Sequence, residues 1–224
     1  LVLFVNLTHN GLFKQLPLEV QALLLATCEP VILKAGQLLG RLDTQARVYF
    51  LSGATVALVV EEPGHKSLAV GLLGADDAAG LGHVVQDPHP TQPPALKLRV
   101  QTPGPAWAIP AGVLRNLVLK YPLVLVVISR QLWQMVTHVA TVAACVQTLD
   151  IRARLAAWLV LSAQKARTTE LHLTHEHLAH MLGVRRVSIT LAAGELRDMG
   201  LLRYTRGQLH ILDLSGLKKA HQPH

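Results

Sequence analysis

Leu173-Thr174-His175-Glu176-His177-Leu178-Ala179-His180-Met181-Leu182-Gly183-Val184-Arg185-Arg186-Val187-Ser188-Ile189-Thr190-Leu191 is the stretch on which the fold turns. Thr174 is placed to cap a helix whose apolar positions are Leu178, Met181 and Leu182. Gly183 then permits a sharp turn, and Val184 precedes a second helix with apolar positions Val187, Ile189, Leu191 and Leu196. A helix, a short Gly-containing turn and a second helix form the helix-turn-helix signature, and Ala179 is small where two such helices would cross closely.

Downstream, Leu201-Leu202-Arg203-Tyr204 and Leu209-His210-Ile211-Leu212 flank Thr205-Arg206-Gly207-Gln208 and read as a two-stranded wing, to which Glu170–Leu173 can add a strand. A helix that enters a major groove needs base-contacting residues in its first turns, and here those are Arg185, Arg186, Ser188 and Thr190. Arginine is the usual bidentate reader of guanine, so Arg186 is the expected base reader, with Arg185 on a base or a phosphate. Arg203 and Arg206 on the wing, with Thr174 and His175 at the start of the first helix, are expected on the nucleic-acid backbone.

Upstream, Leu125, Ile128, Leu132, Met135, Val139, Val142, Val146 and Leu149 recur at alternating spacings of three and four, with Pro122 at a first-turn position. Such a seam buries itself against the chain's own core or against an equivalent helix, and the strict heptad favours a symmetric dimer. Asp150 restarts the pattern as an N-cap before Ile151, Leu155, Trp158 and Leu159, which places a hinge there. The expected domains are therefore 1–120, 121–149 and 150–224.

Before the seam, Pro30 to Pro110 holds short apolar runs broken by turn residues: Val31–Leu33, Val48–Leu51, Thr55–Val60, Ser67–Val70, Lys97–Val100 and Trp107–Ile109. These read as hairpins of a sandwich, roll or barrel. Pro17–Thr27 reads as a helix with Val20, Leu23 and Leu24 on one face. Gly71–Gly82 and Gln86–Pro94 resist a strand reading and are expected to be loops.

The whole chain has 224 residues, of which half are hydrophobic and 16% are charged, excluding disorder and allowing one or two domains. Net charge is +7, divided as +2 over residues 1–149 and +5 over 150–224, where seven of the twelve histidines also lie. The last third is thus the part expected to meet an acidic partner. Two cysteines, Cys28 and Cys145, exclude a disulfide scaffold, a four-thiolate zinc site and a single-chain thiolate iron–sulfur cluster, and fit a reducing cytoplasm. The longest unbroken apolar run is far too short for a bilayer span, so no membrane partner is expected. The chain begins at Leu1, and its first residues show no secretory leader pattern.

Thr174, Leu178-Ala179, Leu182-Gly183-Val184-Arg185-Arg186, Ser188-Ile189-Thr190, Leu196 and Gly200-Leu201-Leu202 together resemble the winged-helix domain of the Crp/Fnr family. The likeness extends over nearly the whole chain, because a roll, a long helix and a hinge precede this region in the family's order, and Gly53 matches the roll's recurrent turn. It implies an α+β fold: an N-terminal β-roll of the cyclic-nucleotide-binding kind, a dimerisation helix and a winged helix-turn-helix. It further implies a homodimeric transcription regulator that reads a palindromic double-stranded DNA site, meets RNA polymerase, and takes its signal from an effector held near Leu72, Gly80, Leu81, Gly82 and His83.

The chain departs from the family's cyclic-nucleotide cassette. Gly80 is followed by Leu81 where a glutamate is needed, the phosphate-binding arginine pair falls near Pro94-Ala95, and the hydroxyls for the base fall near Val139-Ala140. A phosphodiester buried there would have no counter-charge, so no cyclic nucleotide is expected to bind, no cofactor is predicted and the effector is unknown.

Other motifs carry less. His175-Glu176-His177-Leu178-Ala179 lacks the second histidine of a zinc-protease helix, and His177 with His180 would make a weak chelate at best, so no metal site is predicted. Glu61-Glu62 and Asp76-Asp77 are adjacent pairs whose members diverge, Ser52-Gly53 and Ser188 lack a nucleophile elbow, and His83 reads as a turn residue and not a haem ligand. A β-roll enzyme or small-molecule binder with a helical appendage is the rival class; its strands contain no histidine and no aspartate to build a site. A regulator and not an enzyme is the expectation.

Overall fold

Turn residues cut the first half of the chain into short strands. The computed structural model describes residues 6–39, 46–61, 67–85, 96–205 and 208–221, and folds those strands into two four-stranded sheets. In chain order the first part runs α1 (Gly11–Lys14), α2 (Leu18–Thr27), β1 (Glu29–Leu33), β2 (Leu38–Leu39), β3 (Arg47–Leu51), β4 (Thr55–Val60), β5 (Leu68–Leu73), β6 (Ala78–Ala79), α3 (Gly82–Val85), β7 (Leu96–Thr102), β8 (Gly104–Pro110) and α4 (Ala111–Lys120). Then follow α5 (Leu123–Thr148), α6 (Ile151–Ala166), β9 (Glu170–Leu171), α7 (His175–Leu182), α8 (Arg186–Asp198), β10 (Leu202–Thr205), β11 (Gln208–Ile211) and α9 (Leu214–Ala220). The β-roll followed by a winged helix-turn-helix is the α+β class expected from the sequence.

The chain divides into two compact units, residues 1–58 with 73–137 and residues 59–72 with 138–224. In the first, one sheet runs β1-β8-β3-β6, with Glu29 opposite Ala108 and Arg47 opposite Pro110. The second sheet runs β2-β7-β4-β5, with Val59 and Val60 of β4 and all of β5 but Leu73 belonging to the second unit. The expectation of hairpins throughout is corrected: among the described strands of the roll, only β4 and β5 are neighbours both in sequence and in a sheet. Ser52-Gly53 carries the chain from one sheet to the other, and Gly53 is required because a Cβ there would lie 2.8 Å from Pro105 Cδ.

Gly71–Gly82 is a loop only in part. Gly71-Leu72-Leu73 completes β5, and Ala78 and Ala79 pair with Phe50 and Tyr49 as β6, their small side chains buried against the core. The free edge of β6 is closed by a side chain: Gln131 Nε2 donates to Ala78 O at 2.8 Å and Gln131 Oε1 accepts from Ala78 N–H at 3.0 Å. The stretch Gln86–Pro94 lies outside the described residues. In α2, Val20 and Leu24 point inward one turn apart, but Leu23 is exposed, contrary to expectation. The core gathers Phe13, Val20, Phe50, Ile109, Leu114 and Ile128, with Phe13 and Phe50 edge to face at 6.3 Å. Asn10 ties it together, its amide donating to the carbonyls of Leu51, Ala75 and Asp77 while Oδ1 caps α1 through Phe13 N–H.

Helix α5 follows Pro122 as expected. Its length and mean hydropathy of 1.3 would suit a bilayer span, yet Val124, Val127, Ile128 and Gln131 of its first turns are buried in the roll.

The second unit is built on α6, whose inward face (Leu155, Ala156, Trp158, Leu159) packs against α8 and α9. Asp150 caps α6, accepting from Ala153 N–H at 2.7 Å, as its sequence position predicts. Strands β9, β10 and β11 form a three-stranded sheet in the order β10-β11-β9, with Leu202 opposite Ile211 and Leu209 opposite Leu171. Helix α9, unanticipated in the sequence, is capped by Asp213, whose carboxylate accepts from Gly216 N–H at 2.9 Å.

Candidate nucleic-acid interface

Thr174 Oγ1 accepts from His177 N–H at 3.1 Å and starts α7, whose buried face is Leu178, Ala179, Met181 and Leu182. Gly183 at φ +66° ends it, with Val184 N–H donating to Ala179 O at 3.1 Å, a closure that favours glycine. The chain leaves this turn already aimed into α8. Ile189, Ala192, Ala193 and Leu196 hold α8 to the unit, so its opposite side faces solvent.

Arg185 occupies the N-cap of α8 and makes no side-chain cap bond, so the positive end of the helix dipole keeps two arginines beside it. Arg186 is 70% exposed, and its 4.0 Å approach to the exposed Glu176 carboxylate is too weak to hold it. Ser188 is half-buried at the edge of the packed face. Thr190 is exposed, yet its hydroxyl donates to Arg186 O at 3.1 Å and lies 3.0 Å from His175 Nδ1. With the hydroxyl proton committed to Arg186, His175 must carry its proton on Nδ1 and donate to Thr190. His175 is thus half-buried between helix and wing, its ring 4.5 Å from that of Tyr204 and its Nε2 buried without a partner among the described residues. Burial, and secondarily the Arg186 charge, hold this imidazole below the usual histidine pKa, which favours the neutral ring that the hydrogen bond requires.

Tyr204 OH donates to Leu173 O at 2.6 Å and joins the wing to the start of α7. Arg203 stands exposed on β10, opposite His210. Arg206 lies outside the described residues. The sequence reading therefore placed Arg185, Arg186, Thr190 and His175 on helices that do meet, but missed that His175 works through Thr190. That pairing depends on how α7 crosses α8, which spacing alone does not show.

Below α7, the β4–β5 hairpin reaches the same helix from within the second unit. Ser67 Oγ is 2.8 Å from His180 Nδ1 and also donates to His180 O at 3.2 Å, while Glu61 Oε1 is 4.0 Å from His180 Nε2. Nothing in the sequence signalled this contact between residues 113 positions apart.

The proposed effector residues are divided: Leu72 falls in the second unit, and Gly80, Leu81, Gly82 and His83 in the first. Leu72 and Leu81 are buried, and Gly80 sits at φ +88° with no room for a Cβ against Arg47 O. Arg115 donates to the carbonyls of His83 and Val84, tying α4 to α3. Among the seam residues, Ile128 is buried in the roll and Leu132 packs against that core. Leu125, Val139 and Val146 are exposed, and Met135, Val142 and Leu149 are half-buried.

Residues 153–220 match the model of the Crp-like helix-turn-helix domain. No curated protein matches the chain. Among solved structures, a protein assigned to the Crp/Fnr family from Eubacterium rectale is similar at TM-score 0.71 and 18% identity, covering 96% of this chain and 99% of that one. The c-di-GMP responsive global regulator CLP of Xanthomonas campestris is similar at 0.67 and 18%, covering 86% and 97%. A CRP-family transcriptional regulator from Thermus thermophilus is similar at 0.65 and 18%, covering 85% and 96%. Residues 153–220 thus carry a Crp-like helix-turn-helix domain, and the chain has the fold of the Crp/Fnr-type structures it is similar to.

Proposed function

We propose that the protein is a homodimer that reads a palindromic double-stranded operator through α8, with half-sites about one helical turn apart. The observation that carries this reading is the pair Arg185 and Arg186 on the solvent-facing first turn of α8, held by no strong ion pair among the described residues. Arg186 reads a guanine, Arg185 a base or phosphate and Ser188 a base edge, while Thr174, Arg203 and Arg206 hold backbone, giving affinity that falls steeply with salt. His175 positions Thr190 and the wing. The domains divide as 1–120, 121–149 and 150–224, and two copies associate along α5, where Leu125 and the residues from Leu132 to Leu149 supply the contact. The +5 charge of residues 150–224 supports DNA as the acidic partner.

The roll acts as a degenerate effector domain that does not take cyclic nucleotides, since Leu81 and Val139 stand where polar ligands would be needed. Its signal, of unknown chemistry, enters near Leu72 and Gly80–His83 and leaves through the hinge at Asp150. The protein acts in the cytoplasm without enzymatic activity and meets RNA polymerase on DNA. Selection of bound duplexes from a random pool by the purified protein, without added ligand and at near-physiological salt, tests the reading. A symmetric motif is the expected result; no binding even at low salt would overturn it.

A further inference from the structure

We propose that Val187 and Leu191 read the 5-methyl groups of thymines in the major groove, beside the base held by Arg186. The inference rests on the DNA reading given above and adds to it what the operator must contain. At 3.6 residues per turn, the direction opposite the packed face of α8 passes through Val187, Leu191, Gly194 and, at the far end, Asp198, which is paired with Arg197. Val187 is 68% exposed and Leu191 64%, the two most exposed large apolar side chains among the described residues of the second unit. They stand one turn apart and form a continuous aliphatic ridge.

This ridge points away from the core, so packing does not explain it. Its neighbours decide what covers it. Arg185 and Arg186 adjoin it at the helix start, which suits a polyanion and disfavours an apolar protein face. Thr190, beside it, has its hydroxyl proton committed to Arg186 O and an acceptor site to His175, so this turn offers little hydrogen-bonding capacity to a base. In the major groove, the base-edge feature that such a surface complements is the thymine methyl. Gly194 continues the same face with open space around it, leaving room for close approach of a groove. Val187 and Leu191 are about 6 Å apart along the helix axis, roughly two base-pair rises, so two thymines within about three positions are the expected targets.

The test uses the full chain and the operator recovered by selection. Each thymine is replaced in turn by deoxyuridine, which deletes only the methyl. Equilibrium affinity is expected to fall about fourfold at one or two thymines per half-site, the effect of one buried carbon. In Val187→Ala and Leu191→Ala the corresponding thymine should become indifferent to the exchange, whereas Arg186→Ala should bind more weakly overall and stay sensitive to it. An operator whose every deoxyuridine form binds within about twofold overturns the proposal alone. So does methyl sensitivity that survives in both alanine variants. Failure to recover any operator overturns the DNA reading and this proposal with it, a result distinct from either.

Discussion

Replacing Arg186 by alanine removes one exposed guanidinium and leaves the buried side of α8 intact. Affinity for the selected operator is expected to fall by about 1–3 kcal/mol, roughly 5- to 150-fold, without loss of thermal stability, as competition binding and calorimetry would check. His175 carries a second prediction at this scale. Its folded-state pKa is lowered by burial and by Arg186, so the unfolded chain binds the proton more readily. Stability is therefore fully present above the ordinary value of 6.5 and is lost as pH falls through it toward the lower folded value. His83, lowered by burial and Arg115, acts in the same direction. Denaturant titrations from about pH 7.5 to about pH 5 should show this loss, and His175→Gln should reduce it; an unchanged slope would count against it. The exposed place of Arg186 at the start of α8 was legible because an arginine there needs no tertiary partner. That of His175 was not, because its partner lies fifteen positions away on a crossing helix.

Helix ends were the most legible elements. Thr174, Gly183 and Asp150 each occupy the position their local chemistry predicts, because a cap is a contact between residues three or four apart. Asp150→Ala is accordingly expected to cost about 0.5–2 kcal/mol of stability in urea denaturation. Gly194→Ala should do the reverse, adding about 0.5–1 kcal/mol, because this interior helix position is not left-handed and has nothing within 4 Å of a Cβ. The inward face of α8 was less legible. Val187, Ile189 and Leu191 suggest alternation, but the packed set is Ile189, Ala192, Ala193 and Leu196, in which two alanines carry little hydrophobic signal. Helices α4 and α9 were missed although Pro110 and Asp213 stood ready to begin them.

Across the whole molecule, most strands were legible, β2 and β6 excepted, and their partners were not. β1 pairs with β8 across about 75 residues, a choice made by the closure of the roll and not by any local pattern. The heptad on α5 was read as a single seam, yet Ile128 is consumed by the core of the first unit. Self-association should then depend on the exposed later positions: Val139→Glu with Val146→Glu is expected to shift sedimentation equilibrium toward monomer and weaken palindrome binding, and an unchanged dimer would refute it. The β4–β5 hairpin has a consequence of another kind. Because residues 59–72 belong with the second unit, the backbone passes between the units three times. A single recombination breakpoint before Asp150 would transplant α7 and α8 and leave behind Ser67, the serine seated on His180. In this chain the helix-turn-helix keeps all its packing partners only when residues 59–72 travel with it.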